Sequence, residues 1–275
     1  MDFFKKTDKI ITDFERVVKN PIIPANKEKL LVGVDFGTAY IVVTVLDENK
    51  NPVAGAYRFA QVVKDGIVLD YIGAINIVKA LKREIEDKIG CKLSCTAVAI
   101  PPGTTVNDTR FIKSAAEGAG FEVTNVVDEP TAANSVLEIK NGVVVDIGGG
   151  TTGLAVFRDG EVVHISDEPT GGTHCTLVIA GAYKVSFEEA EKLKKDPDKQ
   201  LEISTVLNPV VEKIACIISK NIKNYDVDAI YLVGGTSCML NIEKVIENIT
   251  GIKTYKPKNP LFITPVGIAM NCMDV

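Results

Sequence analysis

Residues 143–157 read VVVDIGGGTTGLAVF. Val143, Val144 and Val145 form an unbroken apolar run, the pattern of a strand covered on both faces. Gly148, Gly149 and Gly150 follow, and three missing side chains in a row let backbone N–H groups converge on an anion. Thr151 and Thr152 add hydroxyls before a second apolar run begins. Asp146 stands at the end of the first strand, beside this anion nest. A carboxylate beside a phosphate calls for a cation between the two, so the stretch predicts a phosphate site served by Mg²⁺.

The same device occurs earlier, in residues 31–45, LVGVDFGTAYIVVTV. Asp35, Gly37 and Thr38 repeat the order of strand, aspartate, glycine turn and threonine, and Tyr40 opens a second apolar run. Each copy is followed by a turn-rich stretch, at 47–52 and 158–160, and then by another apolar run. A single glycine hairpin reads as a tight turn. Two with matching flanks read as an internal duplication, with a nucleotide lying between two half-molecules.

Composition narrows the class. The chain has 275 residues, 46% hydrophobic and 24% charged, ordinary for a soluble α/β protein with one large unit or two domains. Its net charge of −5 comes without a basic run dense enough for a nucleic-acid footprint. No apolar stretch reaches transmembrane length and no signal peptide is visible, so a cytoplasmic protein without a membrane partner is expected. Six cysteines, at 91, 95, 175, 216, 238 and 272, include no CxxC pair and read as small buried hydrophobes in a reducing compartment. His164 and His174 cannot supply a histidine-rich metal site.

Taken in order, residues 1–20 place Phe4, Ile11, Phe14 and Val18 on one side of a helix, with Ile10 and Val17 alongside. Two readings stay open: a helix packed on the body of the protein, or a docking helix whose stripe enters a partner's groove. Pro21, Pro24 and Asn26 form a linker. Strands and helices then alternate, with a helix over 71–88, a strand over 95–100, and a helix capped by Asn107 or Asp108 that runs to about Ala119. In DEPTAAN, 128–134, Pro130 suits a first helical turn. Asp128 and Glu129 are there either as simple caps or with one carboxylate turned toward the nucleotide to orient an attacking water. Gly171, Gly172 and Thr173 open a helix through Tyr183, residues 186–195 read as a short charged helix, and 201–225 as a long amphipathic one. A strand over 229–233 runs into Gly234, Gly235 and Thr236, a place where a helix start attracts a nucleotide backbone.

The order of these motifs resembles the sugar kinase, Hsp70 and actin superfamily of ATP-binding proteins. Residues 32–40 resemble its first phosphate loop, 128–134 its first connecting helix, 143–156 its second phosphate loop, 231–237 its adenosine loop and 265–270 its second connecting helix. DEPTAAN and DIGGGTT are closest to Hsp70 and to the bacterial actin-like protein MreB. As a whole the chain most resembles the EutJ family of ethanolamine-utilisation proteins, described as Hsp70-like chaperones. The resemblance implies a two-lobed actin-like ATPase fold, duplicated ribonuclease-H-like domains with the nucleotide cleft between them. Lobe I is expected over 30–140 plus 260–275, lobe II over 141–259, and the N-terminal helix and linker over 1–29. It further implies that Asp35 and Asp146 hold Mg²⁺ through water, and that Gly37, Thr38, Gly148, Gly149, Gly150 and Thr151 cradle the phosphates of ATP or ADP. Glu129 matches the position linked to water activation. Gly234, Gly235 and Thr236 would meet the α-phosphate and ribose, and Glu191 and Lys194 the adenosine.

The chain also departs from that pattern. Hsp70 has an acidic residue where this chain has Gly153, and a threonine where it has Ala39. Its catalytic lysine lies in an inserted subdomain without counterpart between residues 54 and 70, where Lys64 and Arg58 are the candidates to substitute. Its adenine-packing arginine has no match near Ser237 and Cys238. Each loss removes a group that would position water or neutralise phosphoryl charge, so ATP binding with slow hydrolysis is expected. No Hsp70-type peptide-binding domain is expected after the second connecting helix. The implied role is a nucleotide-dependent chaperone or switch acting on protein clients, ethanolamine-degrading enzymes or shell proteins of a bacterial microcompartment, with residues 1–20 as an address. The rival readings are a reactivase for a cobalamin-dependent lyase, an actin-like filament protein and a small-molecule kinase.

Overall fold

Two five-stranded sheets with the same strand order build the molecule, as seen in a computed structural model that describes residues 4–27, 29–60, 63–64 and 67–273. The Lys64 side chain and residues 1–3 lie outside the described residues. The N-terminal half comprises α1 (Lys5–Lys19), β1 (Leu30–Phe36), β2 (Tyr40–Asp47), β3 (Pro52–Phe59), β4 (Val63–Lys64), β5 (Ile67–Val68), α2 (Tyr71–Ile89), β6 (Cys95–Ile100), α3 (Val106–Gly118), β7 (Glu122–Asp128) and α4 (Glu129–Leu137). The second half comprises β8 (Gly142–Ile147), β9 (Thr152–Arg158), β10 (Glu161–Glu168), α5 (Gly172–Tyr183), α6 (Phe187–Lys195), α7 (Gln200–Ile222), β11 (Ala229–Val233), α8 (Ile242–Thr250), β12 (Lys253–Tyr255) and α9 (Ile263–Met270). Short 3₁₀ turns occupy Pro197–Lys199, Gly235–Cys238 and Pro260–Phe262.

The first sheet has the order β3-β2-β1-β6-β7 and the second β10-β9-β8-β11-β12. In each, three strands form an antiparallel meander and two more add in parallel on the far edge. The duplication expected from the two glycine hairpins is thus a duplication of the whole sheet. β8 is buried along its length, as its valine run predicts. On α2, Ile75, Val78, Leu81 and Ile85 all face the first core. The α3 cap is Thr105 rather than Asn107 or Asp108: its hydroxyl accepts the Asp108 N–H, and the helix begins one residue later. β12 carries no strand signal in the sequence, because it is three residues long with two exposed side chains.

The helices that close the two sheets, α4 and α9, cross where no side chain could fit. A Cβ on Gly267 would lie 1.9 Å from the Ala132 carbonyl oxygen, and one on Gly33 would lie 2.4 Å from the Ala269 nitrogen. Around this crossing a third core joins both sheets. The apolar stripe of α1 enters that core. Phe14 and Val17 are fully buried, and the Phe14 ring would lie 2.5 Å from a Cβ on Gly55 of β3. The stripe therefore packs on the body of its own chain and is not open to a partner's groove.

Glu86 ties the end of α2 to the strand that follows. Its buried carboxylate accepts the Leu93 N–H at 2.9 Å and pairs with Lys92 at 2.8 Å and Lys82 at 2.9 Å. Burial opposes the charge, but the Leu93, Lys92 and Lys82 donors outweigh it and hold the carboxyl at about 2, below its ordinary 4.5. A carboxylate lowered on folding contributes stability that is full above the ordinary value and lost as pH falls toward the lowered one. Because Lys92 is open to solvent, the contribution is set at about 2 kcal/mol. In urea titrations from pH 6 to pH 2, the wild type is expected to lose about that much more stability than Glu86→Gln. Parallel acid limbs for the two proteins would refute this account.

Candidate functional site

Asp35 and Asp146 occupy the same place in the two sheets, each the penultimate residue of its central strand. Between the sheets lies a cavity of about 480 Å³. Its wall takes Asp35, Gly37 and Thr38 from the first hairpin, and Asp146, Gly148, Gly149, Gly150 and Thr151 from the second. Glu129 comes from α4, Glu191 and Lys194 from α6, and Gly234, Gly235 and Thr236 from the turn after β11. The residues to which the resemblance assigns the metal, the phosphates, the adenosine and the attacking water all line this one cavity.

The two hairpins meet across it. A Cβ on Gly149 would lie 3.2 Å from the Thr38 Cβ and 3.2 Å from the Ala39 nitrogen. The second hairpin is braced from behind by the start of α5, whose Gly172 and Thr173 amides donate to the Gly148 and Gly149 carbonyls at 2.9 and 2.7 Å. The Thr236 hydroxyl also donates to the Gly148 carbonyl, at 2.7 Å. Gly234 has a φ of 86°, and a Cβ there would lie 2.2 Å from Asp146 Oδ1, so only glycine leaves room for that carboxylate.

The structure divides the Asp128-Glu129 pair. Asp128 caps α4, accepting the Thr131 N–H at 3.0 Å, while Glu129 faces the cavity. Burial and then the Asp146 charge push the Asp35 carboxyl up to about 7. Burial pushes Asp146 up to about 6, against the hydrogen bond it accepts from Thr264. Glu129 is raised well above its ordinary value by burial and then by Asp146, Asp35, Asp167 and Asp128. Among the described residues, no group of three or more His, Cys, Asp or Glu side chains is arranged to hold a metal ion directly.

Sequence reading missed several participants. Thr264, at the start of α9, orients Asp146 from the far end of the chain. Asp167 of β10 pairs with Gly153 in the strand register, and a Cβ on Gly153 would lie 3.4 Å from its Oδ1. The position that lacks an acidic side chain therefore has one beside it, supplied by the next strand. Lys195 lies over the Phe59 and Tyr40 rings at 4.6 and 5.0 Å, joining α6 to the first sheet across the cleft. No single-residue signal marks these, because each depends on pairing between distant segments. Arg58 sits 4.0 Å from Glu84 on α2 and is not part of the cavity wall.

Glu191 and Lys194 are already engaged with their own chain. The Lys194 ammonium donates to the Gly172 carbonyl at 3.1 Å, to the Thr176 hydroxyl at 2.6 Å and to Glu191. Glu191 also takes the Thr176 hydroxyl, and its second oxygen lies 2.8 Å from Lys195. All three ammonium protons have partners, so the pair braces α5 against α6 at the edge of the cavity.

These two sheets, with the paired helices and a cleft between glycine hairpins, define a two-lobed protein with the fold of the actin and Hsp70 ATPases. A family profile described as cell division protein FtsA matches residues 143–267. The MreB5 protein of Spiroplasma citri, solved bound to ADP, superposes with a TM-score of 0.71 at 19% identity, over 89% of this chain and 96% of that one. A crystal structure of ethanolamine utilization protein EutJ from Carboxydothermus hydrogenoformans superposes with a TM-score of 0.90 at 45% identity, over 96% of this chain and 97% of that one. The ethanolamine utilization protein EutJ of Salmonella typhimurium is 39% identical over 246 residues, 89% of this chain and 86% of its own length. The chain belongs to the EutJ family of ethanolamine utilization proteins.

The α5–α6 brace is open to test. Lys194→Met removes one partner of a largely buried ion pair, and stability is expected to fall by about 3 kcal/mol in urea unfolding. A loss below about 1 kcal/mol, the range of an exposed pair, would show that the network is not a brace.

Proposed function

We propose that this protein is a nucleotide-dependent switch of the ethanolamine-utilisation system. It binds ATP and ADP with Mg²⁺ in the cleft and hydrolyses ATP slowly. The observation that supports this reading is the meeting of two glycine hairpins on one cavity, each preceded by an aspartate, Asp146 buried and Asp35 half-buried. Gly37, Thr38, Gly149, Gly150 and Thr151 would present backbone and hydroxyl donors to the phosphates, Gly148 closes the turn by donating its N–H to the Thr151 carbonyl at 3.0 Å, and Gly234, Gly235 and Thr236 lie at the adenosine side. Asp35 and Asp146, at the matching ends of the two central strands and on the same cavity wall, suit a cation held through its water shell. Mg²⁺, when bound, supplies neutralisation of phosphate charge. Glu129, facing the same cavity from the start of α4, is placed to accept a proton from the attacking water.

ATP would bridge the two hairpins and draw the lobes together, and its loss would let them part, the two states a client could sense. Relatives named for ethanolamine utilization, and an MreB5 bound to ADP, support the system and the ligand class. The clients assigned by this reading are enzymes or shell proteins of that system, met in the cytoplasm at a microcompartment. Among the described residues no helix is long and apolar enough to cross a membrane.

Calorimetry with ATP and ADP, with and without Mg²⁺, tests the reading. Wild-type binding is expected to need Mg²⁺, and Asp146→Ala to weaken it at least tenfold, about 1.4 kcal/mol. Turnover is expected below about 1 s⁻¹, under the usual kinase range. Failure of the wild type to bind either nucleotide would sink the proposal.

A further inference from the structure

The nucleotide reading leaves the N-terminal helix without a role, yet α1 reaches the cavity wall through one side chain. Asn259 donates from Nδ2 to the Glu15 carboxylate of α1. Its Oδ1 accepts the Leu261 N–H at 3.2 Å and lies 3.9 Å from the Cys238 thiol. An amide whose NH₂ is held by a carboxylate has its oxygen directed by that bond, so Glu15 decides which edge of Asn259 faces Leu261 and Cys238. Both of those residues line the cavity. The same segment also braces the Gly-Gly turn. The Gly234 amide donates to the Pro260 carbonyl at 3.0 Å, and a Cβ on Gly235 would lie 3.1 Å from Leu261 Cδ1. One residue before Asn259, the Lys258 amide donates to Asp8 of α1 at 2.9 Å. α1 itself is seated by other contacts: Phe14 packs on Phe262 with ring centroids 5.2 Å apart, and Phe4 on Tyr231 at 6.4 Å. Truncating Glu15 therefore removes the relay without removing the apolar seat of the helix.

Resting on the reading of the cavity as a nucleotide site, we propose that Glu15 is a positioning residue for that site. Acting through Asn259, it sets the wall formed by Leu261 and Cys238 and couples the position of α1 to nucleotide occupancy. Coupling of this kind is reciprocal in binding free energy. A partner that pulls on α1 alters nucleotide affinity, and nucleotide alters how firmly α1 is held, by the same factor. The partner class that could use this is a protein that grips the exposed, charged side of α1 while the apolar side stays on the body.

The test compares full-length wild type, Glu15→Ala, Glu15→Gln and, as a control on the outer face of the same helix, Lys9→Ala. Calorimetry with MgATP is combined with amide hydrogen exchange of the nucleotide-free proteins. Glu15→Ala is expected to weaken MgATP about 5- to 10-fold, the range of a single coupling contact, and to speed exchange over 259–262 while α1 keeps its protection. Glu15→Gln, whose amide oxygen can still accept from Asn259, is expected to retain affinity within about twofold, as is Lys9→Ala. Wild-type affinity and unchanged exchange in Glu15→Ala overturn the proposal, and so does a loss in Glu15→Gln equal to that in Glu15→Ala. Faster exchange over 259–262 in Glu15→Ala, alongside a wild type that binds no MgATP, overturns the nucleotide reading and leaves the wall contact standing.

Discussion

At the crossing of α4 and α9 the two helices touch through backbone, with Gly267 against the Ala132 carbonyl at a separation that excludes a Cβ. Most of the site follows from this contact. Glu129 lies three residues before Ala132 and Thr264 three residues before Gly267, so each sits about one turn ahead of the crossing. Fixing the crossing therefore aims both side chains into the same space, Glu129 onto the cavity and Thr264 onto Asp146. Because α9 also rests on Gly33 of β1, the crossing and the first aspartate strand move as one body. A larger residue at any of these points would part the helices and spread the carboxylates with them.

The electrostatics of the molecule divide its acids into two groups. Glu86 and Glu191 are surrounded by donors and held below their ordinary values although burial opposes them. Asp35, Asp146 and Glu129 share the cavity wall, and all three are pushed upward. Hydrogen-bond partners were available to the fold, since Thr264 reaches Asp146, yet no lysine or arginine among the described residues forms an ion pair with these three. Acids left uncompensated in a cleft store free energy that a cationic ligand can release, and this is why perturbed acids mark binding sites more often than structural ones.

The glycine hairpins were legible because their chemistry is local. An apolar run, an aspartate and consecutive glycines lie within about ten residues, and backbone geometry follows directly from such a pattern. The duplicated sheet was legible for the same reason, once the two hairpins were set side by side. What stayed hidden depends on register and contact. Asp167 reaches the neighbourhood of Glu129 only because β10 pairs with β9 so that it falls opposite Gly153. Thr264 is unremarkable until α9 is laid beside β8. The resemblance assigns Lys194 to adenosine, and only the packing of α5 against α6 shows that all its protons already have partners in the chain.

The N-terminal helix shows the limit of periodicity from the other side. Its stripe correctly announces a helix with one buried face, but burial against a partner and burial against the chain's own body leave the same pattern in a sequence. What separates them is the polar flank. Asp8 and Glu15 bond to Lys258 and Asn259, two consecutive positions far away in the chain that lead directly into the wall of the cleft. An apolar stripe alone could hold a helix on the surface with some freedom of register. Two directed bonds on one flank fix it along its axis, and they fix the segment they touch as well. The helix and the cleft wall thus constrain each other, so an element at the outer edge of the fold is mechanically part of its site.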